Sequence, residues 1–256
     1  MTTAPPALAK VPAVTLGFWI IKILATTLGE TGGDTVTMTW NLGYLVGTAM
    51  FLTALVALAV AQIRARRFHP LLYWATIVAS TTAGTTMADF ADRSLGIGYA
   101  GGSALLLACV AASLATWRAT LGSVDVQSVR TPAAEAFYWL TITFSQTLGT
   151  ALGDWAADDG GLGYAGGAAV FGGLLAVLAL LYRFTRVSRT LLFWLAFILT
   201  RPLGATVGDL MDKPVDHGGF DLSRPAASVA LAGAMLLLIV IAHRRQATAD
   251  TPPAAN

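Results

Sequence analysis

The sequence predicts an all-α integral membrane protein with eight transmembrane helices, and three observations carry that prediction. The 256 residues are 55% hydrophobic and only 12% charged, with a mean hydropathy of +0.66, far from the balance of a soluble domain. Eight apolar runs each approach the ~20 residues needed to cross a hydrocarbon core. An internal repeat groups those runs in pairs.

The runs lie at 14–36, 41–63, 71–90, 97–117, 135–156, 162–182, 190–211 and 226–243. The opening "MTTAPPALAK" is polar and proline-rich, without a basic stretch and cleavage site, so the first run is expected to act as the insertion signal. This gives a tail over 1–12, a transmembrane domain over 13–246 and a tail over 247–256. The lone cysteine, Cys109, sits in an apolar run and excludes an intramolecular disulfide or a thiolate cluster.

Tryptophans set the repeat register: Trp19, Trp74, Trp139 and Trp194 are 55, 65 and 55 residues apart. Ten residues after each comes a glycine (Gly29, Gly84, Gly149, Gly204), and fifteen after comes an aspartate (Asp34, Asp89, Asp154, Asp209). The first three units then read "GYLVG", "GYAGG" and "GYAGG", small-residue segments suited to close helix packing, while the fourth reads "GFDLS" one residue later, with Phe220. Repeats over 13–69, 70–121, 134–189 and 190–246 follow. Two helices per unit return the chain to its starting side, so the four repeats are parallel, around a pseudo-symmetry axis along the membrane normal. The longer link "TWRATLGSVDVQSVRTPAAE" suggests two two-repeat halves.

Charge sets the orientation. Eleven of sixteen Lys and Arg lie at the termini or between repeats, and eleven of fourteen acids lie at the opposite ends of the helices. The positive-inside rule puts both termini in the cytoplasm, and the acids at the opposite ends make the outer face acidic. The tryptophans are read as anchors at the inner interface, and Lys22 as close enough to that interface to snorkel.

Each repeat aspartate lies about 22 Å along the helix from its tryptophan, in the outer part of a ~30 Å core. An ionised carboxylate there costs up to roughly 2.5–3.5 kcal/mol at mid-helix, so the four are expected to face the protein interior, a wet vestibule or partners. Parallel repeats bring them into a ring or two facing pairs, where they bind a cation or hold protons. Seven residues after the tryptophans stand Thr26, Thr81, Gln146 and Arg201; four further on stand Glu30, Thr85, Thr150 and Ala205. Oxygen donors without histidine or cysteine suit protons or hard cations such as Mg, Mn or Ca. Arg201, inside an apolar run, needs a partner from another repeat, Glu30 or a repeat aspartate, and Pro202 is expected to kink its helix. Asp92, Asp158, Asp159 and Asp212 read as solvated turn charges.

The tryptophan, glycine, aspartate and tyrosine pattern over residues 10–246, and above all "KVPAVTLGFWIIKILATTLGETGGD", resembles a bacterial membrane-protein family catalogued as domain of unknown function 347. The resemblance implies four tandem two-span repeats and supplies no activity. Arg201 and Phe220 set the fourth unit apart and count against four equivalent sites.

The function expected is a transporter, a proton-coupled exporter of a small hard cation or divalent metal. Asp34, Asp89, Asp154 and Asp209 would bind or gate, Glu30 would couple protons, Thr26, Thr81 and Gln146 would add neutral oxygens, and Arg201 would be the internal counter-charge. The alternatives are a non-transporting scaffold or sensor with structural aspartates, and a passive cation pore. No zinc-hydrolase or serine-nucleophile pattern appears, so no enzyme is expected; the partners are the bilayer and the cation or proton, with no nucleic acid.

Overall fold

A computed structural model describes residues 10–249; the remaining residues of the two tails read from the sequence lie outside the described residues. Eight α-helices form one bundle, with no strand among the described residues: α1 Leu16–Asp34, α2 Gly43–Arg64, α3 Pro70–Asp89, α4 Tyr99–Leu121, α5 Pro132–Asp154, α6 Gly163–Phe184, α7 Arg189–Asp212 and α8 Arg224–Ala249. Local chemistry sets their starts. Thr15, Thr131 and Ser188 accept the first free backbone amides of α1, α5 and α7, and Pro70 and Pro132 occupy first-turn positions where no amide donor is needed.

Three of the repeat aspartates end a helix. After Asp34, Asp89 and Asp154 the chain widens into a single π turn, at Thr35–Thr39, Phe90–Ser94 and Trp155–Asp159. The helix that follows starts at or just after a glycine with positive φ (Gly43 76°, Gly98 78°, Gly163 63°), so the glycine of each "GY" segment is a backbone hinge. In the fourth unit α7 continues past Asp209 to Asp212. It also runs unbroken through Pro202.

The odd-numbered helices form a closed inner ring in which α1 packs on α3, α3 on α5, α5 on α7 and α7 on α1. The even-numbered helices brace it from outside, each against the next repeat: α2 on α3, α4 on α5, α6 on α7 and α8 on α1. The polarity follows this layering. The outer helices α2, α4, α6 and α8, with α7, are long and apolar enough to cross a membrane, whereas α1, α3 and α5, rich in Thr, Ser and charge, fall short by composition. Their polar groups are enclosed, and apolar side chains of the outer helices face outward.

The repeat tryptophans are core residues and not anchors facing the headgroups. Trp74, Trp139 and Trp194 are buried, and they pack with Phe18, Tyr73, Tyr138, Phe193 and Trp117 into an aromatic core that fills one end of the bundle. The link between the halves folds onto it, with Val126 and Val129 buried and the Trp194 indole donating to Val124 O at 2.9 Å. At the same end Lys10 pairs with the buried Glu135 at 2.7 Å and donates to Ile63 O, strapping the start of the chain across α2 and α5. Composition cannot separate a tryptophan facing headgroups from one facing a neighbouring helix.

Candidate functional site

Positions three, seven, eleven and fifteen residues after each tryptophan fall on one face of the inner helices and stack in layers. In the first layer Lys22 is fully buried; its ammonium sits 4.1 Å over the Phe197 ring and 3.4 Å from Thr200 Oγ1. It does not snorkel, because its stem points into the ring of helices.

The second layer explains the repeated glycine. A Cβ at Gly29 would stand 2.3 Å from Thr81, one at Gly84 2.8 Å from the Gln146 backbone, one at Gly149 2.2 Å from Arg201, and one at Gly204 2.3 Å from Thr26. Each glycine therefore seats the polar residue of the next repeat, and Gly204 closes the cycle onto the first. Thr26 is held by backbone carbonyls, its hydroxyl 2.8 Å from Ile23 O. Thr81 Oγ1 and both amide atoms of Gln146 are buried without a hydrogen-bond partner among the described residues.

Arg201 runs from this layer into the third. Its Nη2 donates to Glu30 Oε2 at 2.8 Å and to the hydroxyls of Thr85 and Thr150, so one guanidinium joins the inner helices of all four repeats. Glu30 is the partner from another repeat that the sequence requires. Thr85 and Thr150 belong to the same cluster, on the row that includes Glu30.

The four repeat aspartates are buried and form two bridged pairs. Arg93 lies 3.0 Å from Asp89 and 3.6 Å from Asp154. Lys213 Nζ donates to Asp34 Oδ2 at 2.8 Å and lies 2.9 Å from Asp209 Oδ1. Burial opposes the charge on each cation, but the flanking carboxylates outweigh it and hold both groups above their ordinary pKa. Oxygens of Glu30, Asp34 and Asp209 all lie within 4.8 Å of one another, and Asp34 Oδ1 has no hydrogen-bond partner among the described residues. These three hard oxygen donors suit a divalent cation.

Asp212, read as a solvated turn charge, is buried and pairs with Arg224 at 3.2 Å, because α7 continues past the point where the other inner helices widen. Arg224 also stands 3.8 Å from Asp34. Asp158 and Asp159 are exposed, as expected. Asp92 is half-buried; burial raises its pKa, only partly offset by Arg93.

Arg93 and Lys213, the cations that bridge the aspartate pairs, are site residues that the repeat register does not single out. The signal was present: only the second and fourth repeats read "DFADR" and "DLMDK", with a cation one helical turn after the aspartate.

The model of the Repeat of Unknown Function (DUF347) matches residues 17–68, 72–122, 137–188 and 192–248. The chain belongs to this family, and the four matches coincide with the four structural units. No curated protein and no solved structure matches it.

Proposed function

We propose that the chain is a multi-pass transporter of small hard cations in a bacterial cytoplasmic membrane, exporting a divalent metal in exchange for protons. In this reading all eight helices span, the four repeats stand parallel about an axis along the membrane normal, and both termini are cytoplasmic. No catalytic role is assigned. The observation that carries the reading is the buried Glu30, Asp34 and Asp209 cluster where the first and fourth repeats meet inside a largely apolar bundle. Ionisable groups enclosed in a membrane bundle are costly even when paired, and characteristically mark ion or proton paths.

Glu30, Asp34 and Asp209 would hold the ion, and Thr85 and Thr150 would orient Arg201 beside Glu30. A proton taken up by a carboxylate would weaken its hold on the metal, which couples the two fluxes. The passive pore is disfavoured by Arg201, whose guanidinium lies across the middle of the ring and repels cations. The scaffold reading draws its support from the Arg93 bridge, which ties Asp89 to Asp154 as an inter-repeat clasp with no third carboxylate beside it in the metal-ligand cluster. Asp89 and Asp154 are therefore assigned a structural role, and the transport site is narrowed to the other pair.

The test is Mn²⁺ flux in proteoliposomes. Asp34→Asn and Asp209→Asn should abolish it with folding kept, and Asp159→Asn, on an exposed turn, should leave it intact. Wild-type flux in both site variants would sink the assignment.

A further inference from the structure

Three features make the tricarboxylate cluster more than a group of acids. A cation already sits in it, since Lys213 Nζ lies 2.8 Å from Asp34 and 2.9 Å from Asp209. Asp34, 1% exposed, still has one buried oxygen without a hydrogen-bond partner, and Asp209 Oδ1 faces the ammonium without hydrogen-bond alignment. The lysine is the first residue beyond α7, and its side chain keeps 12% exposure. Its stem therefore leads from the cluster towards the surface.

From these features we infer that Lys213 is a tethered cation that fills the site in the absence of metal and is displaced by a divalent ion, so that the site works by cation exchange. The inference rests on the transporter reading above and adds the state of the site between cargoes.

The charges favour a divalent ion. Three carboxylates face two cations, Arg201 at Glu30 and Lys213 between the aspartates, which leaves one negative charge; Arg224 and Asp212 neutralise each other alongside. Replacing the ammonium by a dication cancels that remaining charge. A monovalent ion in its place leaves the balance unchanged and gives up a well-placed ammonium. A compact ammonium on a flexible stem suits withdrawal and return better than a planar guanidinium does. The exchange also keeps the aspartates from being left together without a cation, a state that burial makes costly.

The chain has only three lysines, Lys10, Lys22 and Lys213, which makes a direct test clean. Purified full-length protein is treated with an amine-reactive ester across a Mn²⁺ series at fixed pH, and modification of each lysine is read by peptide mass spectrometry. Labelling of Lys213 should rise saturably with Mn²⁺ and stay flat with Na⁺, while the enclosed Lys22 stays unlabelled throughout. Independently, Lys213→Gln should respond to Mn²⁺ in thermal unfolding at a concentration about tenfold or more below wild type, because the competing charge is gone. If Mn²⁺ stabilises the wild type and Asp34→Asn removes that effect, yet Lys213 labelling does not change, the exchange is overturned and the site stands. If Mn²⁺ neither stabilises the wild type nor alters labelling, the site reading fails and the exchange fails with it. Should Lys213→Gln not fold, wild-type labelling decides alone.

Discussion

Where the second and third repeats meet, Arg93 links Asp89 to Asp154; where the fourth and first meet, Lys213 links Asp209 to Asp34. The two junctions share a backbone plan and a cation at the same register. They differ in everything added to it. Arg93 is about a third exposed (34%), has a rigid planar head, and is not part of the three-carboxylate cluster. Lys213 is more enclosed, has a flexible stem, and sits beside Glu30 and the Asp212–Arg224 pair. The contrast extends to the aromatic end, where Tyr73 and Tyr138 share a 2.6 Å hydrogen bond across the first junction, while Phe18 and Phe193 make only a ring contact across the second. One repeated motif has thus become a two-aspartate clasp on one side and, on the other, part of a three-carboxylate cluster with the geometry to hold a metal ion.

The largest effect that should break this comparison comes from Arg201→Met. It leaves Glu30 buried without its cation and should cost about 3–5 kcal/mol in chemical unfolding. Glu30→Gln in the same chain should recover much of that loss, and a double variant no more stable than Arg201→Met alone would show that Glu30 does not depend on the pair.

Next comes the clasp itself. Arg93→Ala should lower stability by roughly 2–3 kcal/mol, below the buried-pair range because its partial exposure lets water screen the stranded aspartates. Mn²⁺ should not restore it. Rescue of Arg93→Ala by the metal would mean that the two junctions are functionally alike.

The smallest effect has the opposite sign. Asp92 is the counterpart of Asp212, but it has no ion-pair partner corresponding to Arg224, and its buried carboxylate oxygens accept no hydrogen bond among the described residues. Its folded pKa is raised by burial, so its ionised form disfavours folding once the pH exceeds the unfolded value. Asp92→Asn should therefore raise stability by up to about 1 kcal/mol at pH 7, and the gain should vanish as pH falls below the unfolded pKa. A gain that persists at acid pH would point to packing against Gly102 instead of charge.

The eight helices were legible as long runs poor in charge, and the repeats because a duplicated unit leaves fixed offsets; only α2, α4, α6, α7 and α8 are apolar enough to cross a membrane. Arg201 was also legible as a cation needing a distant carboxylate, since an apolar run offers it none. Arg93, Lys213 and Arg224 were not, although they and the two flagged cations are the five left once the eleven at the cytoplasmic ends are set aside. Arg93 and Lys213 each follow their own repeat's aspartate by one helical turn, but their second partners, Asp154 and Asp34, lie in other repeats, and register alone does not say which helices touch. The tryptophans failed for a related reason: hydropathy gives depth in the membrane but not the side of the helix.

The cyclic order of the inner helices also constrains how the protein is made. Glu30 and Asp34 emerge with the first repeat, but Arg201, Asp209 and Lys213 belong to the last, some 170 residues later in the chain. Throughout synthesis of the middle repeats these two acids await their counter-charges, so α1 cannot reach its final enclosed position until α7 has been inserted. The ring therefore locks only once the fourth repeat has been made, and a chain truncated before it would carry two unmatched acids at an open lateral face, a feature by which membrane quality control could recognise it.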